Sequence, residues 1–291
     1  MKLSYNEACG LGCSTLEEDL IYCEKVGFDY IEIRLDMLRK YLENHSSHEL
    51  KSFFKSSHIK PHAFNALYIY PEFLSPQDEP SRQQLLMDEF RLGLEIGKTI
   101  GSHYFIVVPP LQRDPKGGPY KGNWQNTYNA CVNILKKLSE YAEPYDMNLC
   151  FELVGFERSS VRSIEQADMI IRAVDKHNVG FVFDSYNIYL NGGLNDFSAL
   201  YNVQPEKIFA VHLVSGDNVP VQERGQDKRC FCGQGVVDID GFLKTLKALG
   251  YNGMISIETF RPEYWQKTPQ WIIENAYRST RAAAEKACCL R

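Results

Sequence analysis

In the second half of the chain, four short apolar runs each lead into a side chain that is costly to bury. Leu149-Cys150-Phe151 precedes Glu152, and Phe181-Val182-Phe183 precedes Asp184. Phe209-Ala210-Val211 precedes His212, and Ile255-Ser256-Ile257 precedes Glu258. Apolar runs of this length, separated by helix-like stretches, read as strands of a parallel sheet buried on both faces. A carboxylate or imidazole at the end of such a strand loses hydration unless a partner waits there. Taken singly, each has a plain alternative as a helix cap, an ion-pair partner or a hydrogen-bonded core histidine. Their recurrence on four successive strands favours one shared cation, because oxygen and nitrogen donors converging at strand ends make a divalent metal site. Such a mixed set accepts Mn, Mg, Co, Zn or Fe and does not choose among them.

The rest of the chain repeats the strand-helix unit. Strands are predicted over 2–6, 30–34, 60–67, 104–108, 148–153, 179–184, 207–213 and 254–259. Helices are predicted over 16–26, 38–56, 81–100, 124–143, 236–249 and roughly 269–288, with Gly27, Gly101 and Pro144 as stops. Residues 111–122, rich in Gly, Pro and charge, read as a long loop. Eight strands alternating with helices point to an α/β fold, a single (β/α)8 TIM barrel over 1–291. The 291 residues suit it, since such barrels need about 250. An open doubly wound sheet is the alternative, but no Gly-x-Gly-x-x-Gly follows the first strand. No linker or low-complexity tract interrupts the pattern.

Composition narrows the function. Hydrophobic content of 44% and charged content of 24% are those of an ordinary globular protein. A formal net charge of −5 with no basic block argues against a nucleic-acid partner. No apolar stretch is long enough to span a bilayer, and the opening Met1-Lys2-Leu3-Ser4-Tyr5 does not read as a signal peptide. Nine cysteines, an odd number, suit a reduced cytoplasmic setting. Cys9/Cys13 and Cys230/Cys232 lack the Cys-x-x-Cys spacing and are not assigned a metal or disulfide.

The four strand-end residues and their order resemble the xylose isomerase-like sugar isomerase/epimerase superfamily, and within it the inosose (2-keto-myo-inositol) isomerase branch. The further segments that carry the resemblance include Asn6-Glu7-Ala8, Asp29-Tyr30-Ile31-Glu32-Ile33-Arg34 and Asn65-Ala66-Leu67. Others are Asp184-Ser185, Gly233-Gln234-Gly235 and Phe260-Arg261-Pro262-Glu263-Tyr264. The resemblance covers nearly the whole chain apart from the C-terminal tail. It implies Glu152, Asp184, His212 and Glu258 as metal ligands and a small polyhydroxy ketone as substrate. It also implies proton transfer by Glu152 and Glu258 through a metal-bound cis-enediolate. Arg229, Asn187, Glu32, Asn65 and Asn6 are then expected to contact substrate, and Tyr68, Tyr70 and Phe73 to form an aromatic wall. Arg229 has a plain alternative as a solvated loop residue, and the aromatics as a packed loop. His62 and His103 are read as packing or structural. Gly233-Gln234-Gly235 is read as a turn rather than a phosphate cradle.

The chain departs from the family pattern at three places. Phe156 stands where the family often has a histidine four residues after the first metal glutamate, and Asn187 where it often has one three residues after the aspartate. Val214-Ser215 replaces an acidic residue. Asn187 can hydrogen-bond but cannot carry a proton near neutrality, and Phe156 can do neither. The alternatives left open are a dehydratase on the same scaffold and a non-catalytic metal-dependent sugar-binding protein. A DNA-repair apurinic endonuclease is disfavoured, because it needs many histidines and only His212 ends a suitable strand. Residues 111–122 and 219–232 are candidates to cover the site or to join a homo-oligomer.

Overall fold

A computed structural model describes residues 1–69, 80–112 and 118–290. Tyr70, Phe73 and part of the 111–122 loop lie outside the described residues. The strands are β1 (Lys2–Asn6), β2 (Tyr30–Arg34), β3 (Lys60–Tyr68), β4 (Tyr104–Val108) and β5 (Asn148–Glu152). They continue as β6 (Val179–Asp184), β7 (Ile208–His212), a short pair β8 (Ser215–Gly216) and β9 (Arg229–Cys230), and β10 (Met254–Ile257). The helices are α1 (Leu16–Val26), α2 (Leu35–Leu42), α3 (Ser47–Ser56), α4 (Pro80–Ile100), α5 (Trp124–Ala142), α6 (Ile164–Val174), α7 (Ser185–Leu190), α8 (Ile239–Ala248) and α9 (Pro269–Lys286).

Eight parallel strands close into a barrel in the order β1-β10-β7-β6-β5-β4-β3-β2. Closure leaves no sheet edge unpaired. No described helix is long and apolar enough to cross a membrane.

Local signals explain the boundaries. Thr15 with Glu18, Ser46 with Glu49 and Ser163 with Gln166 each form a reciprocal capping box that starts a helix. The Ser46 box is why the single helix expected over 38–56 is two: a side chain that caps Glu49 N–H restarts the chain as α3. Gly27 ends α1 in the left-handed region at φ 97°, where a Cβ would be strained.

Two layers of core follow from period-2 alternation. Phe181, Phe183, Phe105, Leu149, Val211 and Ile255 are buried in the large cluster that also contains the helix faces. The other cluster is built of Ala63, Ala66, Cys150 and Ala210 with the branched Ile106, Val108, Val154 and Val182. Gly180 belongs to the same face of β6 as Val182. A Cβ there would strike the Lys207 carbonyl and the Phe209 ring. The strand can carry only glycine at that point.

The pair β8–β9 is the element that sequence periodicity misses. It is two residues long and antiparallel, with Gly216 opposite Arg229. It anchors the 213–238 excursion beside the carboxyl ends of the barrel strands. Gly233 takes φ +83°, the Val236 amide donates to the Gly216 carbonyl at 2.9 Å, and a Cβ on Gly235 would strike that carbonyl. The Gly-x-Gly is a turn packed on backbone.

Candidate metal centre and substrate cavity

Alternation also aims the four strand-end residues. Cys150 and Glu152, Val182 and Asp184, Ala210 and His212, and Ser256 and Glu258 are each two apart, so each pair shares a face. The small partner of each pair is buried, which leaves room at the mouth for the larger polar one. Parallel register sets Asp184 beside His212, and His212 beside Ser256. The result is a convergent set: one donor atom from each of Glu152, Asp184, His212 and Glu258 lies within 4.8 Å of all the others.

His212 is fully buried. Its Nε2 lies 3.0 and 3.2 Å from the two Glu32 oxygens. A carboxylate there accepts, so Nε2 carries the proton. That leaves Nδ1, which has no hydrogen-bond partner. It lies 3.4 Å from Glu258 Oε2, 3.7 Å from Glu152 Oε1 and 3.9 Å from Asp184 Oδ2. An unprotonated Nδ1 facing three carboxylates is repelled by each, so either a proton or a metal ion belongs between them. A cation among them turns every contact favourable. The charge balance agrees. Glu32, Glu152, Asp184 and Glu258 are all nearly or fully buried, against Arg229 and one imidazole. Even with the imidazole protonated, two negative charges remain unmatched among these residues, the charge of a divalent ion. The residues fit such an ion.

Electrostatics follow from burial. It pushes Glu152 up to about 7 and raises Asp184 from the ordinary carboxylate range. Burial pushes Glu258 the same way, but His212, Arg229 and Asn65 outweigh it and hold it at about 2. Burial disfavours charge on His212, yet Glu32 and Glu258 raise it well above its usual value.

The residues expected to touch substrate divide into two sets. Glu32 and Asn6 do not line the cavity. Both are fully buried and lie outside the cavity's lining, among the polar groups around the cluster. Asn6 Nδ2 donates to Glu32 Oε1 at 3.0 Å and to Glu258 Oε1 at 2.9 Å. Asn65 Nδ2 makes the same two bonds, both 2.9 Å. Glu32 Oε1 takes both amides and His212, and Oε2 also lies near His212 Nε2. Register sets their depth: Asn6, the last residue of β1, pairs with Glu32, two residues below the end of β2. Asn65 both joins this polar group and lines the cavity.

Arg229 and Asn187 do line it. Arg229 is 1% exposed, so it is no solvated loop residue. Its Nη1 donates to Asp184 Oδ2 at 2.6 Å and to Glu258 Oε2 at 3.3 Å. The guanidinium sits between the rings of Tyr186 and Phe260, 5.5 and 5.4 Å from their centroids. Asn187 Nδ2 donates to Glu152 Oε1 at 2.8 Å, and its Oδ1 accepts from Gln226 Nε2 at 3.3 Å. Gln226 Oε1 in turn accepts from Arg229 Nε. Gln226 therefore ties the two glutamate supports together. Sequence reading missed it, because a lone glutamine in a loop carries no periodic signal.

The cavity over the cluster has a volume of about 140 Å³. Its polar lining is Asn65, Glu152, Asn187, Gln226, Arg229 and Glu258, and its remaining lining is Tyr68, Val108, Leu111, Val154, Phe156 and Phe260. Phe260 was not anticipated as part of the site; its place just after Glu258 was the available signal. His62 and His103 stand at the opposite, amino-terminal end of the barrel.

The sequence from 20 to 275 matches the model of a protein family described as the xylose isomerase-like TIM barrel. The inosose isomerase of Bacillus velezensis is 37% identical over 287 residues, covering 98% of each chain. That of Halalkalibacterium halodurans is 37% identical over 281 residues, 96% of this chain and 95% of the other. A crystal structure of the IOLI protein with a bound zinc atom superposes with a TM-score of 0.89 at 35% identity, over 99% of both chains. With the closed barrel, the strand-end cluster and these likenesses together, the chain belongs to the xylose isomerase-like TIM barrel family.

Proposed function

We propose that this chain is a divalent-metal-dependent isomerase or epimerase of a small polyhydroxy ketone, with 2-keto-myo-inositol as the leading substrate. The observation that carries this is the orphaned Nδ1 of His212, facing three converging carboxylates at a cavity mouth. The names of the two full-length relatives and the zinc in the IOLI crystal structure support the same reading.

Glu152, Asp184, His212 and Glu258 would hold the ion. When bound, it supplies Lewis-acid polarisation of a carbonyl, which acidifies the neighbouring C–H. The protein's own residues do the rest. Glu152 on β5 and Glu258 after β10 reach the cavity from different sides of the mouth, so one removes a proton and the other returns it. Amide donors restrain both carboxylates: Asn187 on Glu152, Asn6 and Asn65 on Glu258. That restraint holds each oxygen close to one orientation before substrate arrives. Arg229 and Asn187 offer donors to hydroxyls along the polar lining. The apolar lining residues suit the C–H face of a ring, and so favour a ketocyclitol over an open chain.

A dehydratase would also need to expel a β-hydroxyl, which calls for one more acid. Among the described lining residues the remaining groups are amides, Arg229, Tyr68 and apolar side chains. Metal analysis of purified protein, followed by solvent-deuterium exchange into inososes and ketoses, tests the proposal. Exchange at the carbon beside the carbonyl is expected. Tight binding without exchange at any carbon would instead mark a sugar-binding protein.

A further inference from the structure

The barrel has a second polar feature that the chemistry at its mouth does not use. At the amino-terminal end, a cavity of about 550 Å³ opens between the starts of β2, β3, β4 and β10 and the helix α3. That volume lies within the range of small-molecule sites. Its depth is marked by His62, 1% exposed, whose two ring nitrogens both lack a hydrogen-bond partner. A buried imidazole with neither nitrogen satisfied is costly. The neighbouring walls are flat and apolar. Tyr30 and Tyr104 meet the His62 ring edge-on at centroid distances of 6.1 and 5.4 Å. Pro61, Phe54, Ile100, Gly101 and Met254 line it further, together with His103.

The rim is cationic. Lys51 and Lys55 on α3 are exposed there, and Lys60 is held by the carbonyls of Phe54 and Ser57 at the end of that helix. No carboxylate lines the cavity among the described residues. The arrangement therefore has a positive entrance, an aromatic slot and one unsatisfied polar side chain at depth. We propose that this cavity binds a small planar organic anion, a hydroxyaromatic carboxylate in class. Its acid group stays at Lys51 and Lys55, its ring packs beside Tyr30 and Tyr104, and its distal hydroxyl meets His62. This site is on the far end of the barrel from Glu152, Asp184, His212 and Glu258.

The probe is 4-hydroxybenzoate, titrated into the full chain while the ring resonances of His62 are followed by heteronuclear NMR. Inorganic phosphate serves as a charge-only control. Saturable binding with a dissociation constant on the order of 1 mM or tighter is expected, with the His62 resonances moving. His62→Phe should weaken it about tenfold, the loss of one buried hydrogen bond. The surface pair Lys51→Glu and Lys55→Glu, which leaves the interior untouched, should weaken it several-fold and more so at low salt. No saturable binding, unchanged affinity in the lysine variant, equal affinity for phosphate, or loss of binding on metal chelation would each overturn the proposal.

Discussion

Two clusters of buried carboxylates stand near the carboxyl end of this barrel, and they have opposite characters. The first is Glu152, Asp184 and Glu258 with His212 and Arg229. The second is Glu7 and Asp19, both fully buried between the 3-10 turn that follows β1 and helix α1. Glu7 Oε2 accepts from the Arg34 amide at 2.7 Å, and Asp19 Oδ1 accepts from Ser14 Oγ at 2.5 Å. Their other oxygens have no partner, and neither acid is in an ion pair among the described residues. Burial pushes Asp19 up to about 8 and Glu7 well above the usual carboxylate range. The first cluster shares its space with a guanidinium and a lone-pair nitrogen, while the second has only neutral donors. Burial of acids alone therefore points to retained protons. Burial with convergence on an imidazole nitrogen points to a cation.

The sharpest break in that comparison is chemical. Glu152→Gln and Glu258→Gln should each lower turnover by about 10²–10⁴-fold in a deuterium-exchange or isomerisation assay. Full turnover in either variant would remove that residue from proton transfer.

Next in size is the support around the ion. Glu32→Gln should weaken metal affinity about 10–100-fold in a competition titration, because the Nε2 side of His212 loses its anionic acceptor. Unchanged affinity would mean that the contact between Glu32 and His212 is only packing.

The second cluster answers to pH. An acid whose folded value is raised is penalised once the unfolded chain ionises. The contribution of Glu7 and Asp19 to stability should then be fully present below about pH 4 and be lost as pH rises towards 8, by up to about 1.4 kcal/mol per pH unit for each retained proton. Asp19→Asn should flatten that slope by about one proton in urea melts across this window. A slope that matches the unaltered protein's would show that Asp19 is ionised in the fold.

The smallest effect is on the apolar lining. Phe156→Ala should raise KM about 2–10-fold with kcat little changed, through lost contact with the C–H face of the substrate. A fall in kcat with KM unchanged would place Phe156 in the chemistry instead.

Much of the site was legible because polar residues end apolar strands. Glu152, Asp184, His212 and Glu258 stand out for that reason, and their alternation partners Cys150, Val182, Ala210 and Ser256 show which way they face. Glu32 and Asn6 were legible as strand residues near the mouth but not as polar groups around the cluster. Their height depends on how β1 pairs with β2, and on an imidazole 180 residues away. Gln226 left no pattern, since loop positions have no period to break, and Phe260 offered only its place just after Glu258.

The order of strands and helices, the capping boxes that start them and the four candidate ligands were determined by the chain's own local pattern, because propensity and periodicity act over a few residues. Which oxygens meet, which amides restrain them and where Arg229 lies were decided only by barrel closure. Closure brings strands distant in sequence to one radius, and hydrogen-bond geometry is settled there, at distances no local pattern encodes.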